Sequence, residues 1–156
     1  MSKKRIMILC LTLIMCFPLT AFAAANVGVS KIPPIINDTG IIKPDSTSTP
    51  SKKSVYDTSE NYTVSGSASH SSLYTEKCFK GVTKITYSIT NNSSKDLKVN
   101  LCSYTKLGNV NYGVKKVTIP ANGKTSSSFS DLNSSKYYFI EFVAPSDFKG
   151  TVCGNQ

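Results

Sequence analysis

The chain has 156 residues, 40% of them hydrophobic, with a formal net charge of +9 and a single histidine. That length holds one ordinary domain with short appendages, and one histidine leaves little room for acid–base, nucleophilic or zinc chemistry. The positive excess is almost all lysine, scattered along the chain, and Arg5 is the only arginine. Without the planar arginine fork that reads base edges and grips phosphates, nucleic-acid binding is set aside.

Residues 1–23 have the three parts of a cleaved secretory signal: Lys3, Lys4 and Arg5, an apolar run over 6–17, and the small-residue pattern Ala21-Phe22-Ala23. The cut is placed after Ala23, with Ala25 as the alternative. The apolar run is short for a membrane span and ends at Pro18, so no transmembrane segment is expected after cleavage. No small residues precede Cys10 or Cys16 as a lipoprotein site would require, and the style of the signal is bacterial. Cleavage removes three cations and no anion, so the net charge falls from +9 to +6. Such a charge favours solubility and weak attraction to anionic surfaces without naming one.

Residues 24–54 hold four of the seven prolines and a Ser/Thr-rich tail. Proline fixes φ and removes a backbone donor, so this stretch reads as an extended linker. The apolar pairs Ile35-Ile36 and Ile41-Ile42 are the places where it would dock as an edge strand or act as a ligand for another protein.

From Val55 to the end of the chain the apolar period becomes two, which marks a β-sandwich domain over 55–156. Strands are expected at 62–67, 82–90, 97–105, 114–119, 125–130, 137–144 and 150–153, separated by Asn, Ser, Gly and Pro clusters. In the second, Ile85, Tyr87 and Ile89 share a face; in the third, Leu97, Val99 and Leu101 do. Residues 91–96 are short enough to join these two as a hairpin. No segment reads as an amphipathic helix, so a second sheet must cover the dry faces. Seven short strands in about a hundred residues fit an antiparallel Greek-key sandwich.

Leu132, a polar crossover and then Tyr138 entering the next strand resemble the tyrosine corner of immunoglobulin-like and fibronectin type III domains, with Tyr138 as the corner residue. The resemblance implies that type of sandwich and no function. An eight-stranded jelly roll is the alternative, with Val55-Tyr56 or the linker isoleucines supplying the extra strand.

After cleavage three cysteines remain, Cys78, Cys102 and Cys153, an odd number in an oxidising setting. In an immunoglobulin-like layout all three fall at one end of the sandwich. Cys102 and Cys153 would then flank the 137–144 strand, about 9–10 Å apart and beyond disulfide reach. A Cys78–Cys153 bridge, closing the longest loop, is the expected pairing. Cys102 is left as a spare thiol through which two copies could join. A zinc site from these three and His70 lacks any C-x-x-C spacing and is not favoured.

His70 lies in a loop of small residues with no positioned partner, and there is no phosphate loop, nucleophile elbow or paired carboxylate. Glu141 interrupts an apolar run and is expected on the outer sheet face in an ion pair with neighbouring lysines. The chain therefore reads as non-enzymatic, with no metal and no cofactor.

The outer face of the sheet containing 97–105 and 137–144 gathers Lys98, Asn100, Tyr104 and Lys106 with Tyr137, Phe139 and Val143. Exposed aromatics of this kind mark a contact surface. The loop beyond adds Asn109, Asn111 and Tyr112. The candidate ligand-binding residues are thus Tyr104, Lys106, Asn109, Asn111, Tyr112, Tyr137 and Phe139, on the condition that neither the linker nor a second copy covers the face. Rings flanked by amides and hydroxyls suit a sugar or an extended peptide. The leading reading is a secreted, extracellular module that binds a cell-surface glycan, peptidoglycan or protein. A basic toxin or antimicrobial factor acting on membranes is the second, although the strands are short for an inserting hairpin. A structural or coat component assembling through Cys102 or the linker is the third.

Overall fold

The computed structural model describes residues 26–31, 55–56 and 60–156. The expected signal segment, the linker isoleucines and most of residues 24–54 lie outside them. Nine strands and no helix are found among the described residues: β1 (Val29–Ser30), β2 (Tyr62–Ala68), β3 (Leu73–Thr75), β4 (Lys84–Asn91), β5 (Leu97–Tyr104), β6 (Val110–Ile119), β7 (Lys124–Phe129), β8 (Tyr138–Phe142) and β9 (Ser146–Asn155). They form two antiparallel sheets, β1-β3-β8-β5-β6 and β2-β9-β4-β7. The all-β antiparallel sandwich read from the two-residue period is the fold observed.

The alternation acts as expected. Ile85, Tyr87 and Ile89 of β4 and Leu97, Val99 and Leu101 of β5 all turn into one buried core. Phe142 of β8 and Phe148 of β9, which belong to different sheets, stack with ring centroids 3.9 Å apart. Burying each such side chain contributes about 2 kcal/mol, which is how two sheets with polar backs are held face to face.

The connections follow the jelly-roll alternative. From β2 onward, every link crosses from one sheet to the other except the β5–β6 hairpin, and the strand orders 3-8-5-6 and 2-9-4-7 result. Residues 91–96 are therefore not a hairpin: β4 pairs with β7 and β9, whereas β5 pairs with β6 and β8. Asn91 makes the crossing. It is buried, and its side-chain amide donates to the carbonyls of Lys95, Ile119 and Pro120, clasping this corner to the neighbouring β6–β7 crossover. The tyrosine corner forms within this different connectivity. The Tyr138 hydroxyl accepts the Asn133 backbone N–H at 3.0 Å, above buried Leu132.

Residues assigned to the linker supply β1. Val29 is buried and pairs with Thr75, while Val27 exchanges both backbone hydrogen bonds with Ser65 of β2, each 2.8 Å. This short segment thus ties the edges of both sheets together. Gly28 makes the step between them at φ +67°, where a Cβ would stand 2.4 Å from the Thr63 carbonyl oxygen. The extra strand is Val29–Ser30; Val55 adds only a single parallel bridge to Cys78.

The cysteine expectations fail for a topological reason. Among the described residues Cys78, Cys102 and Cys153 are all free thiols. β9 lies between β2 and β4, so Cys153, next to core residue Val152, points away from the core on the outer side of the four-stranded sheet. Cys78 lies beside the Phe79–Tyr138 bridge of the other sheet, and the whole core stands between the two. Cys102 is not a surface thiol either: at 0% exposure it has no access to a second chain.

Candidate functional site

β8 runs through the middle of the five-stranded sheet, and alternation turns Tyr138, Ile140 and Phe142 into the core and Phe139 and Glu141 to the outer face. Those directions are as expected, but the surroundings differ. Phe139 is 0% exposed. The cause is β3, a strand absent from the sequence reading, which lies beside β8. Its Tyr74 ring stands 6.1 Å from Phe139, and Tyr104 from β5, on the other side, stands 5.2 Å away. Phe139 is thus the floor of an aromatic cradle rather than a bare ring.

Glu141 also has different neighbours from those expected. No lysine pairs with it among the described residues. Its Oε2 accepts the Asn100 side-chain amide at 2.9 Å, and its Oε1 accepts the Tyr74 hydroxyl at 3.3 Å. Register explains this, because Tyr74 and Asn100 stand directly opposite Glu141 on the flanking strands. Glu141 is 9% exposed and lies in the wall of the cradle.

Tyr112 completes the group from β6. A bulge between Leu101 and Ser103 breaks the β5–β6 register, and Gly113 takes a positive φ opposite it. Such bulges re-aim side chains. Here the Tyr112 phenol comes near enough to influence the ionisation of both Tyr74 and Tyr104, while remaining 54% exposed. Burial, then the Glu141 charge, pushes the Tyr74 hydroxyl up to about 12. Burial first, then the nearby Cys78, raises that of Tyr104. Both phenols therefore stay protonated donors at any physiological pH. Beneath them burial pushes the Cys78 thiol up to about 12 and the Cys102 thiol to about 11, the latter opposed by a hydrogen bond from the Gly113 backbone.

The other candidates do not join this group. Tyr137 makes a separate pair with Lys80, whose ammonium lies 4.4 Å from the ring centroid and donates to the phenol oxygen. Asn111 stands opposite Ser103, a residue that also pairs with core-facing Tyr138, and so falls on the other side of the sheet from Tyr104. Asn109 closes the hairpin turn through Thr105, and Lys106 is exposed at its tip. The structure brings together Tyr104, Tyr112 and Phe139 and adds Tyr74, Asn100 and Glu141.

A second depression, of about 300 Å³, is lined by Lys31, Ser67, Ala68, Ser69, His70 and Ser71 at the end of β2. Among the described residues no three His, Cys, Asp or Glu side chains gather as a metal site would, and no helix is long and apolar enough to cross a membrane.

No family model and no curated relative matches the chain. Several solved structures resemble it. A family 6 carbohydrate-binding module aligns over 60% of this chain and 73% of its own length at 7% identity, with a TM-score of 0.37. A family 43 arabinoxylan arabinofuranohydrolase from Bacillus subtilis, in complex with cellotetraose, aligns over 62% of this chain at 9% identity and a TM-score of 0.39. The CBM22-1–GH10 modules of Clostridium thermocellum xylanase 10B, with xylohexaose, align over 62% at 18% identity and a TM-score of 0.36. This chain spans only 21% and 22% of the two enzyme chains. At such identities the ligands of those proteins say nothing about the residues of this one.

Proposed function

We propose that the protein is a secreted, non-catalytic module that binds a cell-surface glycan on the outer face of its five-stranded sheet. The observation that carries this is the cradle itself: an exposed tyrosine, two half-buried tyrosines and a buried phenylalanine beside a hydrogen-bonded carboxylate and amide. Ring faces accept the apolar face of a pyranose, and the neighbouring polar groups reach its hydroxyls. An extended peptide is a poorer fit. β8 and β5 each have both edges paired, so no backbone edge is free on this face for an added strand.

The test is a binding screen of oligosaccharides and insoluble peptidoglycan against the intact protein, with Tyr112→Ala and Tyr104→Ala beside it. Tyr112→Ala is expected to weaken the best ligand about tenfold, or about 1.4 kcal/mol, without altering the circular dichroism spectrum. A ligand held equally well by both variants would remove the face from consideration. Secretion is checked separately: protein recovered from the medium of an expressing bacterium should begin at Ala24.

A further inference from the structure

Within the cradle, Glu141 has an imbalance that its hydrogen bonds do not correct. Each oxygen takes one neutral donor, the Tyr74 hydroxyl or the Asn100 amide, and no ammonium pairs with it among the described residues. Two neutral bonds solvate a carboxylate without cancelling its charge, and an uncompensated charge this far buried is costly to the fold. Lysines are close by. Lys98 is exposed on the neighbouring strand, and the Lys116 chain lies over Gly113, its Cε 2.5 Å from where a Cβ there would be. Neither reaches the carboxylate.

What surrounds Glu141 instead is aromatic: Tyr74 in direct contact, Phe139 two residues before it on the same face, then Tyr104 and Tyr112. Ring faces carry negative quadrupole charge, and a carboxylate adds a full charge to the same side. Both attract a desolvated cation and neither favours an anion.

We infer that the glycan this face takes carries free amino groups, with a sugar ammonium seated against Glu141 among Tyr74, Tyr104 and Tyr112. This rests on the glycan reading above and narrows it to amino sugars that are not acylated. The overall charge works against such a ligand. A chain of net charge +9, or +6 without residues 1–23, repels a cationic polymer at long range. Any preference for an aminated sugar must therefore come from this one carboxylate and the rings around it.

The experiment compares three hexasaccharides with the same β-1,4 linkage, built from glucosamine, N-acetylglucosamine and glucose, by titration calorimetry at a mildly acidic pH that keeps the amines protonated. The glucosamine hexamer is expected to bind about tenfold tighter than either neutral one. Glu141→Gln, which keeps the shape and an acceptor oxygen, is expected to bring that ratio to about one, while Ser88→Ala on the opposite sheet leaves it unchanged. Should Glu141→Gln fail to fold, the wild-type ratio supplies the readout: it must collapse at alkaline pH, where the hexamer's amines have lost their protons. Neutral hexamers bound as tightly as glucosamine, and sensitive to Tyr112→Ala, would overturn this inference and leave the glycan reading standing. A failure of all three hexamers and of peptidoglycan to bind folded protein would remove both.

Discussion

The two outer faces of this sandwich obey the same two-residue rhythm and differ in what the rhythm turns outward. On the four-stranded sheet the outward positions of β4 are Thr86, Ser88 and Thr90, facing Ser128, Ser126 and Lys124 of β7. Hydroxyls there satisfy one another, as in the 2.8 Å contact between Ser88 and Ser126. On the five-stranded sheet the equivalent positions hold Tyr74, Phe139, Glu141, Asn100, Cys102 and Tyr104. One back is a solvated surface; the other is a second, smaller cluster of rings, built outside the core. Alternation alone says only that a residue points outward, and the chemistry of that residue decides whether the face is solvated or packs into a cluster of its own.

The most severe way to break this contrast is to remove the floor. Phe139→Ala takes a fully buried ring from beneath Tyr74 and Tyr104, and its cost in urea denaturation is expected at about 3 kcal/mol, the scale of a core Phe→Ala change. A loss below about 0.5 kcal/mol would show that the ring is surface furniture and not a packed cluster.

The thiols report the same contrast through accessibility and pH. Cys153, on the hydroxyl face, is partly exposed, whereas Cys78 and Cys102 are buried and hold their protons up to about 12 and about 11. At mildly alkaline pH a thiol reagent is expected to label Cys153 in folded protein and the other two only after unfolding. The sign for stability follows from linkage. An unfolded cysteine ionises near 9.0, a folded Cys78 only near 12, so between these values the unfolded chain binds fewer protons and stability falls as pH rises. Below that window both states keep the thiol protonated and it gives stability no pH dependence. Urea midpoints that stay constant from neutral to strongly alkaline pH would contradict the burial of these thiols.

How far these differences could be read in advance depended on element length. β4, β5 and β8 are long enough for the alternation to be counted, and the inward set Tyr138, Ile140 and Phe142 followed from it directly. β1 and β3 are two and three residues long, too short for any period, and Tyr74 was lost with β3. The sheet switch at 91–96 is a matter of distant partners: six polar residues suit a hairpin or a crossover equally, and the decision lies in where Asn91 finds its carbonyls. Glu141 was noticed as an interruption, but lysine abundance suggested an ion pair, while register with the unseen β3 supplied a phenol instead. Tyr104 and Phe139 are legible because each is a large ring at a position that alternation turns outward, whereas Tyr112 is reached only as an aromatic of the loop beyond Lys106, in a stretch that the structure makes part of β6.

Gly113 offers a smaller perturbation that sharpens the comparison. Its positive φ falls at the bulge next to Tyr112, and Gly113→Ala strains that backbone at a cost of about 1 kcal/mol. Ligand affinity is expected to fall with it, by as much as Tyr112→Ala if the bulge is what aims the ring. Unchanged binding would mean that Tyr112 finds its place without the bulge.

The smallest effect belongs to the hydroxyl face and is the control for all the others. Ser88→Ala deletes one side of the Ser88–Ser126 contact, where water readily replaces the lost partner, so the change in stability is expected within about 0.5 kcal/mol. Glycan affinity should not move, because the core separates this residue from the cradle. A measurable loss of binding on this substitution would place the ligand on the wrong sheet, since nothing about Ser88 touches the tyrosines except through the packed interior between the two faces.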